Sequence, residues 1–165
     1  MTGGKLNASL NCIDRWTEHG HGQGHDGQQL RGQRRGDDLA IVWEGEDASQ
    51  TRSITFNELQ RDVSKIANVM KSRGVRRGDA VTIFMGTVPE KTMAMLACIR
   101  IGAVHCVVSS VHDTSPSALA EQISASHSRF ICTTDEGRRE GKRVPMKETV
   151  DRALDEMDSI GRDER

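Results

Sequence analysis

Apolar positions along this chain follow two alternating rhythms. From Thr55, which opens a Thr-x-x-Glu capping box with Glu58, the apolar residues Phe56, Leu59, Val63, Ile66 and Met70 recur at spacings of three and four. That spacing predicts an amphipathic helix. It should end near Arg73, because Gly74 can take the left-handed conformation of a helix terminator and Val75 can fold back on the last turn. Gly78-Asp79 then turns the chain into Ala80-Val-Thr-Ile-Phe-Met85, a mainly apolar run that reads as a strand. Pro89 suits the first turn of a second helix, which is apolar on nearly every side over residues 93–99 until Gly102 stops it. Such a helix is expected to be buried. A second strand follows at residues 104–108, a helix at 117–126, a third strand at 129–133 and a last helix at 147–157 with Val150, Leu154 and Met157 on one face. A charged tail, Gly161 to Arg165, closes the chain. Ahead of all these, Leu39-Ala-Ile-Val-Trp43 reads as one more short strand, followed by turn and polar residues.

Strand, helix, strand, helix, strand in that order, with continuous rather than alternating apolar strands, argues for parallel strands covered by helices through right-handed crossovers. The fold class expected is α/β, a partial parallel sheet with covering helices. Three segments are expected: residues 1–17 as an amino-terminal segment, 18–38 as a flexible insert rich in Gly, His and Arg, and 39–165 as the α/β part. The insert carries a single Leu, too little apolar surface to offset the entropy of ordering it.

Charge and composition narrow the function classes. Lys and Arg number 23 against 24 Asp and Glu, a net charge of −1, so the chain has no overall field that would draw nucleic acid or an anionic membrane. Any anion site must be local. Neither a signal-peptide run nor the roughly 20 apolar residues of a membrane span is present, so a cytoplasmic protein is expected. Cys12, Cys98, Cys106 and Cys132 fall at irregular separations without a Cys-x-x-Cys pair, which predicts reduced, partly buried thiols rather than a disulfide framework or zinc site. Asn7-Ala8-Ser9 fits the glycosylation triplet but has no consequence without secretion.

Among candidate chemistries, His19, His21 and His25 invite a metal reading, but they sit in the Gly/Gln-rich insert, where a site would form at large entropic cost. A solvated linker is the expectation there, and no metal site is assigned. His105 lies within a strand, without a Ser, Cys or Asp partner at a telling spacing, and reads as a hydrogen-bonded structural histidine. The Ser/Thr cluster Ser109-Ser110-Val111-His112-Asp113-Thr114-Ser115 lacks the glycines and lysine of a nucleotide loop and reads as a polar connection. The basic stretch Arg138-Arg139-Glu140-Gly141-Lys142-Arg143 follows the third strand, at the carboxyl end where open α/β sheets bind ligands. Arginine can grip phosphate with two parallel hydrogen bonds, Lys142 adds a point charge, and Gly141 permits close backbone approach. By charge pattern alone the stretch remains an ordinary solvated loop.

Several separated blocks carry a more specific signal: Gly3-Gly-Lys-Leu-Asn7, Asn11-Cys-Ile-Asp-Arg15, Ile41-Val-Trp-Glu-Gly-Glu46, Ile54-Thr55, and Met95-Leu-Ala-Cys-Ile-Arg-Ile-Gly-Ala-Val-His105. Asp135-Glu-Gly137, Arg139-Glu-Gly-Lys142 and Val144-Pro145 continue in the same order. Together they resemble the AMP-forming acetyl-CoA synthetases, acetate–CoA ligases of the adenylate-forming superfamily, over nearly the whole chain except residues 18–38. The resemblance implies that the chain is part of the large amino-terminal domain of that fold. It implies a family reaction in which acetate and ATP give acetyl-AMP and pyrophosphate, with magnesium, before the acetyl group passes to the thiol of coenzyme A. It also implies that Arg139, Glu140, Gly141 and Lys142 contact the nucleotide end of coenzyme A, Arg139 clamping phosphate and Glu140 contributing little beyond its backbone.

Two departures accompany the resemblance. Ser109, Ser110 and Val111 stand where the family has an aromatic residue and two glycines, in a loop about two residues longer, so the platform for the coenzyme A adenine is expected to be altered. The family's phosphate loop, acetate pocket, adenine and ribose contacts, hinge and catalytic lysine all lie beyond Arg165. The expectation is therefore a truncated acetate–CoA ligase without catalytic residues or ATP and acetate sites of its own. The alternative is a non-catalytic module that binds coenzyme A or a partner through an incomplete sheet edge. A third reading, a fragment that never folds stably, follows from helices that expect further strands to cover.

Overall fold

The computed structural model describes residues 6–17, 35–109 and 113–163. Helix α1 (Ala8–Cys12) and a 3-10 turn (Asp14–Trp16) lead to the hairpin β1 (Leu39–Glu44) and β2 (Thr51–Thr55), then helix α2 (Phe56–Ser72). Next come β3 (Ala80–Phe84), α3 (Pro89–Ile101), β4 (Val104–Val107), α4 (Pro116–Ala125) and β5 (Phe130–Thr133). A second hairpin, β6 (Gly137–Arg139) and β7 (Lys142–Val144), precedes the last helix, α5 (Met146–Asp163).

The centre is a three-stranded parallel sheet in the order β4-β3-β5. Val81, Ile83 and Phe84 of β3 are almost completely buried, and alternate residues enter two different cores. Val81 and Ile83 join Leu59, Val63, Ala67 and Met70 of α2 and Met93, Ala94, Ala97 and Cys98 of α3. Phe84 joins Leu119, Ala120 and Ile123 of α4 and Met146, Val150 and Ala153 of α5. Helices thus cover both faces, as the continuous apolar strands predicted. Each of the fully buried β3 side chains contributes about 1.5–3 kcal/mol relative to exposure. Thr82, between them, is buried with its hydroxyl unpartnered, while its backbone N–H donates to Ser128 Oγ at 2.9 Å and so ties β3 to the entry of β5.

The helix ends follow their expected chemistry. Thr55 and Glu58 form the reciprocal capping box. At the other end Gly74 adopts φ +95°, and the Val75 N–H returns to the Met70 carbonyl at 3.0 Å with its side chain buried. Gly102, in the left-handed conformation, caps α3.

Several elements differ from the sequence expectation. The polar residues after β1 include β2, which pairs antiparallel with it through a short turn where Gly45 N–H donates to Gln50 O. The residues of β2 are too polar to show a strand pattern. Residues 35–38, assigned by composition to the insert, form a turn packed on the start of α2, with the Gly36 and Asp38 carbonyls accepting from Asn57 and Phe56 N–H; residues 18–34, with His19, His21 and His25, lie outside the described residues. In α5 the buried stripe is Met146, Val150 and Ala153 with Met157 packed beside it, while Leu154 lies off it, 40% exposed. Ala153 takes the place on that stripe that Leu154 was expected to hold. Cys12 is exposed, whereas Cys98 is buried and Cys106 and Cys132 are half-buried; all four are free thiols. Among the described residues no helix is long and apolar enough to cross a membrane.

The amino-terminal segment is fastened to α3 by side chains. Asn7 accepts from Ser9 N–H to cap α1 and donates from Nδ2 to the Ile99 and Arg100 carbonyls at the end of α3. Its amide is committed to these bonds, and Ser9 of the glycosylation triplet is fully buried. Arg100 grips Asp14 with two hydrogen bonds of 2.7 and 2.8 Å, and Gln60 of α2 donates a third to the same carboxylate. Burial pushes the Asp14 carboxyl up, but the hydrogen bonds from Arg100 and Gln60 and the Arg100 charge outweigh it and hold it below the usual carboxylate range. A carboxyl with a lowered folded pKa stabilises the fold above its unfolded value, about pH 4, and loses that contribution as pH falls through the folded value. Asp14→Asn is expected to cost about 1–3 kcal/mol in urea unfolding at neutral pH. The gap between the two proteins should narrow as pH falls below about 4 and close only below the folded value; a gap that does not narrow in acid would contradict this role.

Candidate functional site

The four residues singled out as an anion contact, Arg139, Glu140, Gly141 and Lys142, form the tip of the β6–β7 hairpin. The stretch is not the irregular loop that its charge pattern suggested. Arg139 pairs with Lys142, so the two-residue turn is Glu140-Gly141, at φ +52° and +74°. Both central residues in the left-handed region define a type I′ turn, the form whose twist matches that of the strands. Gly141 adopts this conformation freely; Glu140, a non-glycine, is held there at a cost of about 1–2 kcal/mol. Directly opposed residues in an antiparallel pair share a face, which puts Arg139 and Lys142 side by side and Arg138 and Arg143 together on the other face.

The base of the hairpin is wedged by Met146, which is fully buried. A Cβ at Gly137 would lie 2.7 Å from Met146 Cε, and one at Gly86, beyond β3, would lie 3.3 Å from it. Two residues without side chains therefore let one methionine sit between the end of β3 and the hairpin. Lys147 N–H donates to Asp135 O, and Arg143 pairs with Glu136, fixing the segment that leads from β5. The hairpin consequently stands at the carboxyl end of the parallel sheet, where helices depart to opposite faces, the position at which open α/β sheets hold ligands. A cleft of about 450 Å³ opens there, lined by Trp43, Glu46, Thr87, Glu136 and Arg138 among others. Among these lining residues, Trp43 Nε1 donates to Thr87 O at 2.6 Å.

Two carboxylates meet the hairpin tip. Arg139 Nη1 donates to Asp113 Oδ2 at 2.9 Å, and this bond with the charge of Asp113 pushes the guanidinium pKa further up. Glu46, in the turn between β1 and β2, accepts from the backbone N–H of Glu140 on Oε1 at 2.7 Å and from that of Gly141 on Oε2 at 3.1 Å. Consecutive amides in this conformation make a concave anion seat. The turn is thus an anion binder by its backbone as well as by its side chains, a feature that charge counting missed. Glu46 stood in view within the Ile41–Glu46 block, but nothing local links it to a turn 94 residues away. Asp113 likewise lay in the Ser/Thr cluster with no sequence signal; Ser110, Val111 and His112 of that cluster lie outside the described residues.

The other candidates do not gather here. His105 is half-buried on β4, an edge strand among the described residues. The Cys98 thiol is pushed up to about 12 by burial and by the neighbouring Cys132 and Cys106 thiols, so it is no nucleophile. Among the described residues no group of three His, Cys, Asp or Glu could hold a metal ion.

Residues 29–163 match the family model described as AMP-binding enzyme. The chain belongs to the AMP-binding enzyme family. Within it, the chain is 46% identical over 156 residues to an acetyl-coenzyme A synthetase of Shewanella putrefaciens, covering 94% of this chain and 21% of that protein. Acetyl-coenzyme A synthetases of Shewanella amazonensis, 44% identical over 155 residues, and of Yersinia pestis, 45% over 151, cover 94% and 92% of this chain and again 21% of their own lengths. The chain spans about a fifth of the length of these curated relatives. The α/β architecture and the family resemblance read from the sequence both hold.

The site makes its own prediction about the turn. No atom lies within 4 Å of a Cβ built on Gly141, so Gly141→Ala meets no clash and acts only through backbone strain of about 1 kcal/mol. Hydrogen exchange at residues 137–144 should quicken severalfold, with little change in the global unfolding temperature. Unchanged exchange would show that the turn does not depend on the left-handed conformation.

Proposed function

We propose that this chain forms part of an acetate–CoA ligase and that its β6–β7 hairpin receives the nucleotide end of coenzyme A. The whole reaction would join acetate to the α-phosphate of ATP with release of pyrophosphate, and then transfer the acetyl group to the coenzyme A thiol with release of AMP. The proposal draws its support from the printed names of the relatives and from one structural observation. Arg139 and Lys142 flank a turn whose two amides face an anion, at the carboxyl end of the sheet. A guanidinium, an ammonium and two backbone donors on one spot suit a phosphate, which offers several acceptor oxygens and up to two negative charges. The four free thiols fit a reducing cytoplasm.

These 165 residues taken alone are proposed to contact coenzyme A without activating acetate. On this reading, the groups that orient acetate in line with the α-phosphorus and neutralise the developing charge belong to other parts of the ligase. Calorimetry with coenzyme A at low salt tests the contact. Binding should weaken on the order of tenfold with Arg139→Ala and somewhat less with Lys142→Ala, and should fall as salt rises. Absence of binding, or binding indifferent to both changes, would overturn the reading.

A further inference from the structure

We propose that Glu46 is a built-in competitor for the anion seat of the β6–β7 turn, occupying in the free chain the place that a ligand phosphate must take. The inference rests on the coenzyme A reading above and adds to it how the site is regulated. Both oxygens of the Glu46 carboxylate are engaged, one on each of the two successive amides of the turn, at 2.7 and 3.1 Å. Two oxygens on one centre, presented to two adjacent N–H donors, is also how a phosphate meets such a seat. Asp113 repeats the arrangement on the side chain, holding the Arg139 guanidinium where a phosphate oxygen would otherwise sit. Of the cationic groups at the hairpin tip, Lys142 alone has no ion pair among the described residues. The turn amides and Arg139 are therefore already occupied from within, and Lys142 is not.

The geometry makes this an exchangeable occupant rather than a structural strut. Glu46 is exposed, and it sits in the turn joining β1 and β2, outside both cores. Released, its carboxylate returns to water at little desolvation cost. The turn itself is fixed independently by the β6–β7 register and by Met146 beneath Gly137. A dianionic phosphate, with Arg139 and Lys142 as further partners, outcompetes the carboxylate; a monoanion such as acetate gains no advantage over it. Glu46 thus sets a threshold that favours phosphate ligands and lowers their affinity.

The test follows the Glu140 and Gly141 amide signals by NMR in the 165-residue chain and in Glu46→Gln and Glu46→Ala, each titrated with coenzyme A and separately with inorganic pyrophosphate. Both substitutions should move those two amide signals in the free chain. Both should also tighten coenzyme A and pyrophosphate binding roughly threefold to tenfold, most at low salt. Equal or weaker binding in both variants, with Arg139→Ala still weakening it about tenfold, would overturn the competitor role and leave the coenzyme A site standing. Binding by none of the chains would overturn both.

Discussion

Backbone hydrogen bonds run from both edges of β3, to β4 on one side and β5 on the other, and its side chains alternate between two separate cores. This double commitment is the constraint on which the domain depends. One face of the strand needs α2 and α3, the other needs α4 and α5, and neither core closes without it. Because all three strands run parallel, their carboxyl ends lie together, and the connections that leave them must diverge to opposite faces. The cleft and the hairpin tip occupy that divergence. Position of the site is thus a consequence of strand order, and its chemistry is supplied by whichever residues the connections bring there.

What they bring is a hairpin tip that holds two of the chain's own carboxylates. A type I′ turn directs two amides outward, cross-strand pairing sets Arg139 beside Lys142, and Met146 holds the hairpin base against the end of β3. Two carboxylates from distant loops then meet it. The amino-terminal segment reaches the far side of the same scaffold, where Asp14 and Asn7 fasten it to the end of α3. That clamp lies away from the cleft, so it and the proposed ligand contact draw on different residues.

The fold was largely legible in the sequence because its main elements announce themselves locally. The spacing from Leu59 to Met70, the capping pair Thr55 and Glu58, and the terminator Gly74 with Val75 each carry their own short-range physics, and each stands where expected. Both hairpins escaped notice for the opposite reason: β2 and β6–β7 are short, polar and stabilised by pairing rather than by burial. At the site, the basic residues Arg139 and Lys142 were readable from charge and their place after a strand. Glu46 and Asp113 were not, since their roles arise from contacts between segments far apart in the chain. The donors at the turn were invisible too, because backbone amides carry no sequence label until the conformation of Glu140 and Gly141 is known.

A second basic groove, lined by Lys71, Arg76 and Arg77 between the ends of α2 and α3, offers a rival place for an anion. A crystal structure of the 165-residue chain with coenzyme A decides between them most directly. The account predicts a phosphate of the ligand within hydrogen-bonding distance of the Gly141 N–H and the Arg139 guanidinium, with the Glu46 carboxylate turned out to solvent. Phosphate seated in the Lys71–Arg77 groove, or at the hairpin with Glu46 still on the turn amides, would contradict it.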